Sequence, residues 1–172
     1  MKKILLIVFL ILILTSCDLF KKEDNKDYNE IILKDDKFGI TTFRYDKEKV
    51  FNIEENKRIK PVELNITSED DDFNLDIYHI NTSIEGYETS KKNRKKSNSY
   101  KEYTWNNYRG YTYNGSKDNI NFIILLKEDE ENSIGLFGTL RCSNQNTIKY
   151  FEDEQFQKIL NTISYNETIE DD

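Results

Sequence analysis

The chain has one histidine, one proline and two cysteines among 172 residues. A protein zinc site usually takes three or four ligands. His79 and Cys142 offer one borderline and one soft ligand, so no metal site is expected. There is no Cys-X-X-Cys pair and no Gly-X-Ser-X-Gly elbow to activate a nucleophile, so the chain shows no catalytic set. The acidic run Glu69-Asp70-Asp71-Asp72 has oxygens of the kind calcium prefers. It lacks EF-hand spacing and the glycine that makes the EF-hand turn, and reads as a solvated turn. Positive charge is also short. The 25 Lys and Arg face 32 Asp and Glu, for a net charge of −7. Such a balance gives no general attraction to nucleic acid. No internal repeat is visible.

What is present begins at the N-terminus. Lys2 and Lys3 precede an unbroken apolar run over residues 4–14. Eleven helical residues span roughly 17 Å. A bilayer core is about 30 Å thick, so the run reads as an export signal and is too short for a permanent span. It ends in Leu14-Thr15-Ser16-Cys17, which resembles the lipobox of bacterial lipoproteins. The resemblance implies cleavage before Cys17 and a covalent diacylglyceryl lipid on its sulfur, with the chain held on the extracytoplasmic side of a bacterial membrane. Two acyl chains anchor stably where one does not. No other cofactor is expected. Loss of residues 1–16 removes two lysines and no acid, moving the net charge from −7 to −9. Cys142 is then the one free thiol candidate, and no intramolecular disulfide is expected.

Residues 17–36 are rich in Lys, Asp, Glu and Asn and read as a lipidated tether. Ile31, Ile32 and Leu33 are the exception and are candidates for the domain's first residues. Residues 37–166 read as one α+β domain, mainly antiparallel sheet, and 167–172 as an acidic tail. Phe38 to Tyr45 and Val50 to Ile53 suggest an opening hairpin across Asp46-Lys47-Glu48-Lys49. Val62-Glu63-Leu64-Asn65-Ile66 and Phe73-Asn74-Leu75-Asp76-Ile77 alternate with period two, as half-buried strands do. Asn106-Asn107 tolerates positive φ and predicts a tight hairpin turn. Residues 120–126 are apolar on both faces, as in a central strand covered on both sides. Phe156, Ile159, Leu160 and Ile163 recur at helical spacing behind Glu152, Asp153 and Glu154, and predict one packed terminal helix.

This order resembles the PsbP/Mog1-like α+β fold found in small exported lipoproteins. The likeness rests on Phe73-Asn74-Leu75-Asp76-Ile77-Tyr78, Tyr108-Arg109-Gly110-Tyr111, the 120–126 strand and Phe156-Gln157-Lys158-Ile159-Leu160, over residues 38–165. It implies a sheet flanked by helices, with a second helix supplied near residues 83–94, and mostly non-enzymatic accessory roles.

Two surfaces are candidates for binding. Lys91, Lys92, Arg94, Lys95 and Lys96 form a basic run with loop chemistry that can meet a polyanion, either anionic headgroups or an acidic wall polymer. The plainer reading is a loop balanced by the acidic remainder. Tyr103, Trp105, Tyr108, Arg109, Tyr111 and Tyr113 crowd one hairpin, where exposed rings can stack on a glycan or grip a peptide. The plainer reading is that half of them are core. His79 reads as a partly buried residue near a strand end, and Cys142 as a small apolar side chain. A non-enzymatic envelope binding or accessory module is expected, with an envelope protein or a glycan as partner. A glycan- or peptide-binding lipoprotein is the first alternative and an envelope hydrolase the last.

Overall fold

The computed structural model describes residues 27–55, 63–68, 70, 72–97, 99–115 and 118–167. The leader, Cys17, the first part of the tether and residues 168–172 lie outside the described residues. The chain forms β1 (Tyr28–Asp35), β2 (Gly39–Asp46), β3 (Asn52–Glu55), β4 (Leu64–Ser68) and β5 (Phe73–Thr82). Then come α1 (Ile84–Arg94), β6 (Lys101–Trp105), β7 (Tyr108–Asn114), β8 (Ile120–Lys127) and β9 (Ser133–Cys142). Helices α2 (Thr147–Phe151) and α3 (Glu154–Leu160) and strand β10 (Ser164–Asn166) close the chain.

The strands make two sheets. A three-stranded sheet runs β1-β2-β10 and a seven-stranded sheet runs β3-β4-β5-β9-β8-β7-β6. Every pair is antiparallel, as the α+β reading requires. The expected opening hairpin is not formed. β2 pairs with β1 and β10, while β3 crosses to the edge of the other sheet beside β4.

The boundary drawn at residue 36 also moves. Tyr28–Asp35 is a strand of the domain and not tether. Ile31 and Leu33 point inward and are buried, which burial alone makes worth roughly 2 kcal/mol apiece. Glu30, Ile32 and Lys34, which alternate with them, are exposed, and the polar residues around the three apolar ones gave the segment a linker's composition.

The two sheets share one core with the terminal helices. Ile31, Phe43, Ile77, Phe122, Leu136 and Phe156 all belong to it. The opposite face of the large sheet carries a second cluster of Tyr87, Tyr111, Tyr113, Ile123 and Leu125, covered by α1. Strand β8 therefore supplies both cores, as its two apolar faces predicted. The Asn106-Asn107 turn has φ of +50° and +69°, the conformation expected of that pair.

Helix α1 carries the first part of the basic run, Lys91 to Arg94, with Lys95 as its C-cap and Lys96 in the turn beyond. Ser83 Oγ accepts from the N–H of Gly86, Glu85 lies in the first turn, and Lys91, Lys92 and Arg94 lie in the last. Cations there complement the negative end of the helix dipole. The run was expected to be loop because its side chains are polar on all sides. Its helix is held by caps, dipole and Tyr87 rather than by an apolar stripe. The terminal helix is likewise two short helices. Asp153 takes extended backbone, with ψ of 138°, and caps α3 by accepting from the N–H of Gln155, which ends the turn begun by α2.

Candidate binding site

The aromatic hairpin does not present an open face. Trp105, Tyr111 and Tyr113 are buried, which corrects their assignment to a surface. Antiparallel pleating sends them to opposite sides. Trp105 stacks on half-buried Tyr103 with centroids 4.9 Å apart and donates its indole N–H to Gln157 Oε1 at 2.9 Å. Tyr111 lies under α1 and donates its hydroxyl to Ser90 at 2.9 Å. Arg109 is held by Glu88 at 2.6 Å and by both carboxylate oxygens of Glu128 at 2.6 and 3.2 Å. Tyr108 is half-buried and its hydroxyl receives the N–H of Tyr165 at 3.1 Å.

The basic run is largely paired within the chain. Glu102 receives Lys91 at 2.7 Å, Lys95 at 3.3 Å and the Tyr100 hydroxyl at 2.8 Å. The Arg94 guanidinium lies 4.4 Å from the centre of the Tyr113 ring. Lys92 and Lys96 are exposed. A polyanion would have to displace Glu102 to use the whole run.

The hydrogen bond from Lys91, then that from Tyr100, holds the Glu102 carboxyl at about 2, below its ordinary 4.5. A lowered folded-state value stabilises above the unfolded value and is lost as pH falls towards about 2. The side chain is half exposed, so solvent screening keeps the effect within about 1 kcal/mol. Glu102→Gln is therefore expected to lower the urea midpoint slightly at about pH 6 and not at about pH 2. An equal gap between the two proteins at both pH values would contradict the pairing.

His79 is buried with both ring nitrogens engaged. Nδ1 meets Glu63 Oε2 at 2.7 Å, and Nε2 meets Thr41 Oγ1 at 2.8 Å. Glu63 also accepts the backbone N–H of His79 at 2.9 Å. The order acid–imidazole–hydroxyl is that of a catalytic relay, but the imidazole side chain has no exposure and Thr41 none either. No substrate reaches it in this conformation. It ties β2 of the small sheet to β5 of the large one. Sequence reading left Glu63 and Thr41 unassigned. The hairpin register Leu64↔Ile77 would have placed Glu63 beside this strand end, whereas Thr41 is 38 positions from His79.

Cys142 pairs across from Phe73, and His79 across from Leu136. Six strand residues put the thiol and imidazole roughly 20 Å apart, so they form neither a nucleophile–base pair nor a shared metal site. Among the described residues no group of three His, Cys, Asp or Glu could hold a metal ion.

Open space lies elsewhere, where the β4–β5, β7–β8 and β9–α2 turns meet. One cleft of about 660 Å³ is lined by Phe51, Asp70, Asp72, Tyr150, Asp153 and Phe156, among others. A second, of about 620 Å³, is lined by Asn114, Asp118, Cys142, Ser143, Asn146 and Ile148, among others. Gln145 lines both. The wall between them is fixed by the N–H of Ser143 on Asp72 O at 3.1 Å, by that of Cys142 on Thr147 Oγ1 at 3.2 Å, and by Asn146 Oδ1 capping α2. Asp72 holds φ of +56°, and its buried Oδ2 has no hydrogen-bond partner among the described residues. Neither cleft was legible, because its residues come from turns far apart in the chain.

No protein-family model matches the chain, and no curated protein matches it. Two solved structures are similar. One is a crystal structure from Bacteroides thetaiotaomicron, 7% identical with a TM-score of 0.47, covering 80% of this chain and 48% of that one. The chain thus spans about half the length of that protein. The other is the solution structure of cyanobacterial PsbP (CyanoP) from Synechocystis sp. PCC 6803, 9% identical with a TM-score of 0.44, covering 84% of this chain and 96% of that one. At such scores neither neighbour lends its activity to this chain. Among the described residues no helix is long and apolar enough to cross a membrane.

Proposed function

We propose that the chain is a lipid-anchored, non-enzymatic binding module of the bacterial envelope, with a PsbP-like domain. The observation that carries the address is the ordered series of Lys2 and Lys3, eleven apolar residues and Leu14-Thr15-Ser16-Cys17. Tyr28 lies eleven residues beyond Cys17, a reach of at most about 40 Å. The domain would therefore stay close to the bilayer.

Two features support a role without catalysis. The single imidazole is sealed between the sheets, and the Cys142 thiol lies far from it. The glycan or peptide alternative loses the hairpin as its platform, because Trp105, Tyr111 and Tyr113 are interior. It keeps the two clefts at the turn end. A hydrolase has the least support, and labelling by broad hydrolase probes would revive it.

Metabolic labelling with a palmitate analogue tests the address. The full chain should take up label and enter the detergent phase, and Cys17→Ser should do neither. A Cys17→Ser protein that is still labelled and still cell-bound ends the proposal.

A further inference from the structure

We propose that the two clefts on either side of residues 143–146 form one site for an uncharged oligosaccharide, lying across Gln145. This rests on the reading of the domain as a binding module and does not depend on the anchor. Each cleft falls within the range of about 300–1,000 Å³ usual for small-ligand sites.

Sugar hydroxyls both donate and accept. They suit side chains that offer both roles, such as Asn, Gln and Ser, beside a carboxylate that accepts. Among the described residues the second cleft offers Asn114, Ser143, Gln145 and Asn146 with one carboxylate, Asp118, and no base. Asn146 Oδ1 already caps α2 by accepting the N–H of Lys149 at 3.0 Å, which leaves its Nδ2 group to donate. The first cleft adds aromatic surface. Phe51 and Tyr150 are half-buried at its wall, where a ring face can meet the apolar C–H face of a pyranose.

Other ligand classes fit less well. Among the described residues Lys49 is the only base lining either cleft, against four aspartates, a balance that disfavours phosphate and acidic polymers. A peptide held by strand addition needs open main-chain donors. Here the N–H groups of Gly115, Cys142 and Ser143 are taken by Asn119 O, Thr147 Oγ1 and Asp72 O.

The test is titration of the full chain in detergent with tetra-N-acetylchitotetraose and cellotetraose, followed by calorimetry and saturation-transfer NMR. Millimolar or tighter binding of at least one is expected. Asn114→Ala and Gln145→Ala should each weaken it by about tenfold. Both side chains are exposed, so the variants should fold, and a far-ultraviolet circular dichroism spectrum checks that. No response to either sugar overturns the site, as does binding that both variants leave unchanged, or binding of a polyanion or peptide in place of the sugars. A chain that takes up palmitate label but ignores the sugars keeps the anchored-module reading and loses this site. A chain that binds sugar without taking label does the reverse.

Discussion

Gly138→Ala is expected to destabilise the domain by about 3 kcal/mol, and Gly138→Val to prevent folding. Gly138 faces the shared core from the middle of β9, with Ile77 opposite on β5 and Phe122 opposite on β8. A Cβ there would lie 2.1 Å from Cζ of Phe122 and 2.4 and 2.6 Å from its Cε atoms. The ring has no way out. Phe122 is fully buried, with Phe151 at 5.7 Å and Trp105 at 6.4 Å between centroids. Close-packed interiors leave no space to absorb such a shift. A ring laid over a glycine also pins strand register, because a slip by one residue brings a side chain beneath it. Pairing Gly138→Ala with Phe122→Leu should recover part of the loss, and a urea-denaturation cycle would show positive coupling. Gly138→Ala with a midpoint equal to that of the wild type would mean that the ring is not where the packing places it.

Phe122 and Gly138 illustrate which parts of the fold could be read in advance. Residues 120–126 read as a doubly covered strand, because apolar side chains on both faces of a strand have no other use. Asn106-Asn107 read as a tight turn because amide side chains tolerate positive φ. These signals are local.

What escaped depended on partners distant in sequence. Tyr28–Asp35 has two buried residues among eight, in a polar setting, and only its pairing with β2 sets Ile31 beside Phe43 and Leu33 beside Thr41. The basic run is helix as far as Arg94, where Glu102 on β6 pairs with Lys91 and with the C-cap Lys95, and Tyr113 receives Arg94. The aromatic hairpin was a candidate surface beside the plainer reading that half of its rings are core, and Trp105, Tyr111 and Tyr113 are the buried half. The sheet has two cores, and each takes its share. The candidate site was the least legible part. Its clefts are spaces between turns, and no periodicity records a space.

His79→Ala is expected to cost about 3–5 kcal/mol, a large part of the 5–15 kcal/mol typical of a domain. The imidazole fills space beside Phe38, with ring centroids 6.1 Å apart, so truncation leaves a cavity. It also strands two polar groups. The Thr41 hydroxyl is wholly buried, and an unpaired buried group costs about 1–3 kcal/mol. Glu63 keeps the backbone N–H of His79 but loses its ring partner.

His79→Phe separates the two causes, because it refills the volume and still leaves both groups without the ring. If polar stranding dominates, His79→Phe should be nearly as damaging as His79→Ala. Thr41→Val with His79→Phe should then be more stable than His79→Phe alone, since removing both partners of a buried hydrogen bond is far milder than removing one. Guanidinium unfolding of the wild type, Thr41→Val, His79→Phe and the double variant closes the cycle and gives the coupling directly. If instead His79→Phe matches the wild type, the Glu63–His79–Thr41 chain contributes only volume, and the link between the two sheets is their shared apolar core.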